Sequence, residues 1–186
     1  MRRDSQPLDL PNWANALETS ATVIAGDEAR LGFAIDLAHQ NVEQGTGGPF
    51  GAAIFNLNDG QLLAIGVNSV LRLNSSVMHA EMMAIMRAQR SLGTYTLRQS
   101  ECGLYTSCEP CAMCLGGILW SGVRRLVCGA GAASARSIGF DEGPVDEISY
   151  RHLMQAGIDV HRGILADDAE AVIRLYQTRG APIYNG

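Results

Sequence analysis

Two short segments constrain this chain more than any other feature: His79-Ala80-Glu81 and, downstream, Pro110-Cys111-Ala112-Met113-Cys114. Together they offer an imidazole, two thiols and a carboxylate, a metal-ligand set with a member to spare. Structural zinc sites close around four protein ligands, whereas catalytic ones use three and keep a position for water. With His79, Cys111 and Cys114 as ligands, Glu81 is left over to carry a proton for that water, which points to hydrolysis. Any fold must therefore bring the two segments to one point.

The residue types fit that chemistry for separable reasons. Water on a zinc ion has its pKa lowered to about 7, so a nucleophile is available at neutral pH. Cys111 and Cys114, placed i and i+3, lie on one helix face and can reach one metal as thiolates, whose two charges balance the ion. His79 and Glu81 are only two apart, which on a regular helix sends them to opposite sides. The conflict resolves if the metal sits off the helix end, where first-turn side chains converge. Pro110 starts a second helix at Cys111, so two helix N-termini aim at the site and favour thiolate over thiol.

A chain of 186 residues reads as one domain with a full core. Hydrophobic residues make up 47% and charged residues 18%, an ordinary globular balance. The net charge is −5 and no basic run interrupts it, Arg124-Arg125 being too small a patch, so no nucleic-acid partner is expected. The five cysteines, odd in number and all central, do not resemble a disulfide framework. Met1-Arg2-Arg3-Asp4 is not followed by an apolar signal core, and no apolar stretch reaches membrane-span length. The expectation is a soluble, cytoplasmic protein.

Residues 1–26 read as an amino-terminal arm with a short helix near Trp13 to Leu17. From Asp27, a capping residue by type, apolar positions recur at helical spacing until Gly45. Strands are predicted over Phe50 to Leu57 and Gln61 to Val70, joined by the Asn58-Asp59-Gly60 turn into a hairpin. Beyond it come a helix over His79 to Ser91, a strand over Cys102 to Ser107 and a helix over Cys111 to Ser121. Then follow a strand over Arg125 to Gly129, a helix over Ile148 to Gln155, a strand over Ile158 to Gly163 and a helix over Asp167 to Thr178. Gly129 to Gly143 is the most loop-like stretch, and residues 179–186 form a tail. Alternating strands and helices after an opening hairpin imply a layered α/β fold with a mixed sheet.

The pairing of H-x-E with P-C-x-x-C is a known signature of zinc-dependent nucleobase deaminases. Further segments, Gly47-Gly48-Pro49-Phe50-Gly51-Ala52, Asn68, Thr106-Ser107-Cys108-Glu109-Pro110 and Gly139-Phe140-Asp141-Glu142, extend the likeness from Asp27 to the end. The chain resembles the cytidine deaminase superfamily and, within it, the small bacterial guanine deaminases. The resemblance implies a three-layer α/β/α fold around a central mixed five-stranded sheet. It also implies one zinc ion per chain on His79, Cys111 and Cys114, Glu81 as proton shuttle, and a free purine as substrate. Asn68 would then hydrogen-bond the base, Phe50 form a pocket wall, and Asp141 or Glu142 supply a second carboxylate that recognises or protonates guanine. Homodimers are usual in this group, and Tyr184 is the tail residue assigned to closing an active site.

The zinc motif does not by itself separate guanine from ammeline, guanosine, cytosine or the adenosine of tRNA. Other readings of single residues also stand. Cys108 completes a Cys-x-x-Cys-x-x-Cys run and with His79 would make a closed four-ligand site, although it falls before Pro110 and off the helical face. The cysteine pair alone also fits a redox site. Phe50 suits a core, Asn68 a turn, and Asp141 and Glu142 a solvated loop. A zinc-stabilised interaction module without turnover is the alternative from outside enzymes. Cys102 and Cys128 read as core residues, and His39, His152 and His161 as surface ones.

Overall fold

The hairpin that opens the sheet follows from two apolar runs separated by a turn that needs a positive φ. Gly60, at φ 76°, supplies it between strands β1 (Gly51–Asn56) and β2 (Leu62–Val67), which pair antiparallel with Ala53 opposite Ile65. Ala53 and Phe55 point into one apolar layer and Ala52 and Ile54 into the other, so β1 is buried on both faces. The computed structural model describes residues 8–18 and 22–185; the remainder of the predicted arm, 1–7 and 19–21, and the last tail residue lie outside the described residues.

Strand β3 (Cys102–Cys108) pairs antiparallel with β1, and β4 (Arg125–Ala130) and β5 (Asp159–His161) follow in parallel. The result is a mixed five-stranded sheet of order β2-β1-β3-β4-β5. Helices α1 (Asn12–Glu18), α2 (Asp27–Glu43) and, late in the chain, α8 (Ala166–Thr178) contribute to the core on one face. On the other lie α4 (Ala80–Leu92), α5 (Ala112–Ser121) and α7 (Glu147–Gln155). This is the three-layer α/β/α arrangement that the resemblance implies. No helix among the described residues is long and apolar enough to cross a membrane.

Three local expectations need correction. Val70 does not end β2 but begins a helical turn, α3 (Val70–Leu73), because Asn68 accepts the Val70 N–H and breaks the strand there. Asp27 does not cap α2; it is the first helical residue, and its carboxylate takes the Tyr105 hydroxyl at 2.7 Å and the Arg125 guanidinium at 3.0 Å. The Gly129 to Gly143 stretch is not all loop. Its alanines form α6 (Ala132–Ser137), where good helix formers outweigh the flanking glycines.

Candidate active site

The converging pieces are two helix starts. His79 is the N-cap of α4 with extended backbone (φ −70°, ψ 158°), and Cys111 is the N-cap of α5 (φ −67°, ψ 172°). Cys114 follows in the first turn of α5. The His79 Nδ1 atom stands 3.5 Å from Cys111 Sγ and 3.6 Å from Cys114 Sγ. A tetrahedral zinc with ordinary Zn–S and Zn–N bond lengths requires a sulfur-to-nitrogen edge of about 3.6 Å, so His79 stands at the spacing from both sulfurs that the ion needs. Among the described residues, His79, Cys111 and Cys114 are the histidine, cysteine and acidic side chains that gather in this way, and the set has three members, leaving a tetrahedral corner free. Cys108 is not in it: it ends β3, buried, with its thiol toward the Gly131 carbonyl.

Glu81, in the first turn of α4, is 6% exposed and approaches from the side, its Oε2 3.4 Å from Cys114 Sγ. Burial, followed by the Cys111 thiolate, holds its carboxyl above the ordinary carboxylate range. Cys111 itself drops to about 4, chiefly because the Cys114 thiol donates to it and then because of His79. Cys114 rises for the same reason, since it keeps the proton it shares with Cys111. His79 is raised although burial pulls it down, because the Cys111 hydrogen bond and the charges of Glu81 and Glu142 outweigh burial. The metal-free cluster thus holds one thiolate, on Cys111, and keeps a proton on Cys114 that a divalent cation bound by both sulfurs would displace.

A cavity of about 360 Å³ opens over this cluster. That is a size suited to one small heterocycle. Phe50, Asn68, Phe140, Glu142, Tyr184 and Asn185 are among its lining residues. The buried Asn68 accepts the Val70 N–H at 3.3 Å on its side-chain oxygen, and its NH₂ group is the donor it brings to the cavity wall. Asn68 therefore serves the turn and the cavity together. Glu142 is 7% exposed, and its carboxyl is raised to about 7, first by burial and then by Cys111 and Glu81. Its main-chain oxygen accepts the Ala112 N–H at 3.0 Å, which ties the acidic loop to the start of α5. Asp141 also lines the cavity, but it is exposed and its carboxylate accepts the Gly143 N–H at 2.8 Å.

The tail folds over its own chain's cavity. Tyr184 meets Phe140 edge to face at 5.1 Å, and Phe140 meets Phe50 the same way, so Phe50 serves core and wall alike. Asn185 grips the acidic loop from both sides: it accepts the Asp141 N–H and donates to the Gly139 carbonyl, each at 2.9 Å. The fold thus gathers His79, Glu81, Cys111, Cys114, Phe50, Asn68, Asp141, Glu142 and Tyr184 around one space. Sequence reasoning missed Phe140 and Asn185 as wall residues. Phe140 was visible as the lone aromatic between glycines, whereas nothing local marks Asn185. Glu109 was also missed as a brace: its carboxylate accepts the Ala132 N–H at 3.0 Å and Arg162 Nε at 2.6 Å, holding the Pro110 turn against the start of α6 and the residue that follows β5.

A three-layer fold with an open three-ligand metal site and a buried carboxyl beside it defines a zinc-dependent deaminase. The chain belongs to the cytidine and deoxycytidylate deaminase family, whose zinc-binding region matches residues 26–130. It is 44% identical over 115 residues to the guanine deaminase of Bacillus subtilis, covering 62% of this chain and 71% of that protein. The solved guanine deaminase from Nitrosomonas europaea superposes with a TM-score of 0.90 at 39% identity, covering 96% of this chain and 99% of that one. A variant of NE0047 in complex with 8-azaguanine gives 0.91 at 39% identity, covering 96% and 99%.

Proposed function

We propose that the chain is a zinc-dependent guanine deaminase that hydrolyses guanine to xanthine and ammonia, working as one deaminase domain. One observation carries the hydrolytic reading: Glu81 stands beside a three-ligand metal site and not in it. The choice of guanine is supported by the likeness to two guanine deaminases and to a structure holding a guanine analogue.

Zinc held by His79, Cys111 and Cys114 supplies a water of lowered pKa and a Lewis acid. Every other role belongs to the protein. Guanine stacks against Phe50 with its amino-bearing carbon toward the ligand cluster. Asn68 donates its amide hydrogens to acceptors on the base, and Glu142, poised near neutral pH, recognises or protonates a ring nitrogen. Glu81 takes a proton from the attacking water and passes it to the departing amine; the second water proton leaves the hydroxyl as the new carbonyl forms and ends, net, on the adjacent ring nitrogen, so the proton count closes. Backbone N–H groups at the start of α5 stabilise the charge that develops at the site. Asp141 shapes the acidic loop, and Tyr184 closes the space and excludes water.

The protein is further proposed to be a cytoplasmic homodimer. Its five cysteines are free thiols, in keeping with a reducing compartment. Trp120 and Tyr95, 82% and 88% exposed, lie with Leu92 and Leu119 near the ends of α4 and α5 and give a partner copy apolar surface to cover.

Ammonia release from guanine, guanosine, adenine, cytosine, cytidine and ammeline, measured on the zinc-loaded protein, tests the assignment. Guanine is expected to give the largest kcat/KM. Preference for another member of the panel moves the substrate, and silence with all of them promotes the non-enzyme reading.

A further inference from the structure

One polar residue sits in the apolar face of α2 without serving the catalytic cluster. Asn41 is fully buried, and its amide nitrogen donates to the carbonyl oxygens of Gly48 at 2.9 Å and Asn68 at 3.0 Å. Its own oxygen accepts the Thr46 hydroxyl at 2.7 Å, and that hydroxyl accepts the indole N–H of Trp13, in α1, at 3.1 Å. Each hydrogen in this series has one direction: indole to hydroxyl, hydroxyl to amide oxygen, amide nitrogen to two main-chain carbonyls.

One of the two carbonyls belongs to a residue of the cavity wall and the other to the loop beneath the tail. Asn68 lines the cavity directly, and Gly48 lies under the tail, where a Cβ added to the glycine would fall 1.8 Å from the Tyr184 hydroxyl. The intervening Gly47 is packed so tightly that a Cβ there would stand 1.9 Å from the Asn68 carbonyl and 2.6 Å from Asn41 Nδ2. With its main chain held by Asn41 and its side-chain oxygen by Val70, Asn68 has little freedom to reorient its NH₂ group. Helix α1 is anchored at its far end as well: Glu18 accepts the Ile65 N–H at 3.1 Å and pairs with Arg87 on α4.

We propose that the amino-terminal helix is part of the apparatus for substrate recognition, with Trp13, Thr46 and Asn41 acting as positioning residues that set the placement of Asn68 and of the Gly47-Gly48-Pro49 loop. This rests on the reading of the cavity as a purine site. A hydrogen-bond series that prearranges a binding group lowers the cost of ordering it when the ligand arrives, so its loss appears in affinity before it appears in the chemical step.

Thr46→Val removes the hydroxyl and keeps the shape, Thr46→Ser keeps the hydroxyl, and Trp13→Phe removes the donor at the start of the series together with part of a ring that packs on the core. Steady-state guanine deamination and calorimetric titration with 8-azaguanine, both on zinc-loaded protein of measured metal content, read the effect. Thr46→Val and Trp13→Phe are expected to raise KM and the 8-azaguanine Kd by about three- to tenfold, with kcat within twofold of wild type, and Thr46→Ser to restore both. Unchanged KM and Kd in Thr46→Val, or a fall in kcat that tracks lost zinc, overturns the proposal. A silent Trp13→Phe beside an affected Thr46→Val removes helix α1 from it. Wild-type protein that neither binds 8-azaguanine nor releases ammonia from guanine ends the purine reading and this inference together, whereas an active wild type with an indifferent Thr46→Val ends this inference alone.

Discussion

Gly66 and Ala80 touch backbone to backbone: a Cβ added to Gly66 would stand 2.0 Å from the Ala80 carbonyl oxygen and 2.6 Å from the Ala84 nitrogen. The absence of a side chain on β2 is therefore what lets α4 seat on the sheet with His79 at its cap. Gly66→Ala has no flexible neighbour to push aside, so the helix itself must move. The expected cost is about 2–3 kcal/mol of stability, with zinc content falling in step because the imidazole leaves the thiols. Thermal melts and metal analysis on the same preparation check this; a variant with full zinc would show that α4 tolerates the shift.

Cys108 and Cys111 make opposite predictions despite their identical chemistry. Cys108 is buried at the end of β3 and lies outside the three-member ligand cluster. Cys108→Ala is expected to keep one zinc per chain and to lose about 1 kcal/mol through the small cavity it leaves. Cys111→Ala is expected to lose the metal. Zinc stoichiometry by elemental analysis separates the two, and zinc lost from Cys108→Ala would instead mean a closed four-ligand site.

Glu142 predicts a pH dependence of the metal-free protein. Its carboxyl is raised from an ordinary value near 4.5 to about 7, so the folded state favours the protonated form. The stability contributed by this group is fully present below about 4.5 and is lost as the pH rises through about 7. Wild type should therefore lose stability relative to Glu142→Gln between those values and run parallel to it above them. Denaturant unfolding of both proteins, in chelator, at a series of pH values gives the difference directly.

The Tyr184 hydroxyl is buried with no hydrogen-bond partner among the described residues. Removing an unpartnered hydroxyl should leave the free protein as stable as before, or more stable by about 1 kcal/mol. If the hydroxyl finds its partner on the bound base, Tyr184→Phe raises KM for guanine while the melting temperature holds. An unchanged KM would confine the tail to covering the cavity.

Much of the site was legible because its parts are local. Spacing alone puts Cys111 and Cys114 on one helix face, and the clash between His79 and Glu81 on a regular helix already required a metal beyond the helix end, where two caps now meet. The Asn58-Asp59-Gly60 hairpin was legible for the same reason, since a turn is specified by the residues in it. What was not legible is what depends on segments far apart. Asn185 gains meaning only once the tail lies beside Gly139 and Asp141, and Asp27 looked like a cap because its partners, Tyr105 and Arg125, come from other strands. Asn41 did carry a signal, a polar residue in register with Leu37 and Ala38 on the apolar face of α2, but its partners at Gly48 and Asn68 are set by the tertiary fold.

Glu81 moves protons in this proposal and does not hold the metal. The most direct test is Glu81→Ala, with zinc content and ammonia release from guanine measured on one sample. One zinc per chain and the fold of the wild type are expected, with kcat reduced by about 10²–10⁴-fold, the range that a positioned general acid and base contributes. Turnover near the wild-type rate, or loss of the zinc together with the activity, would contradict the proposal.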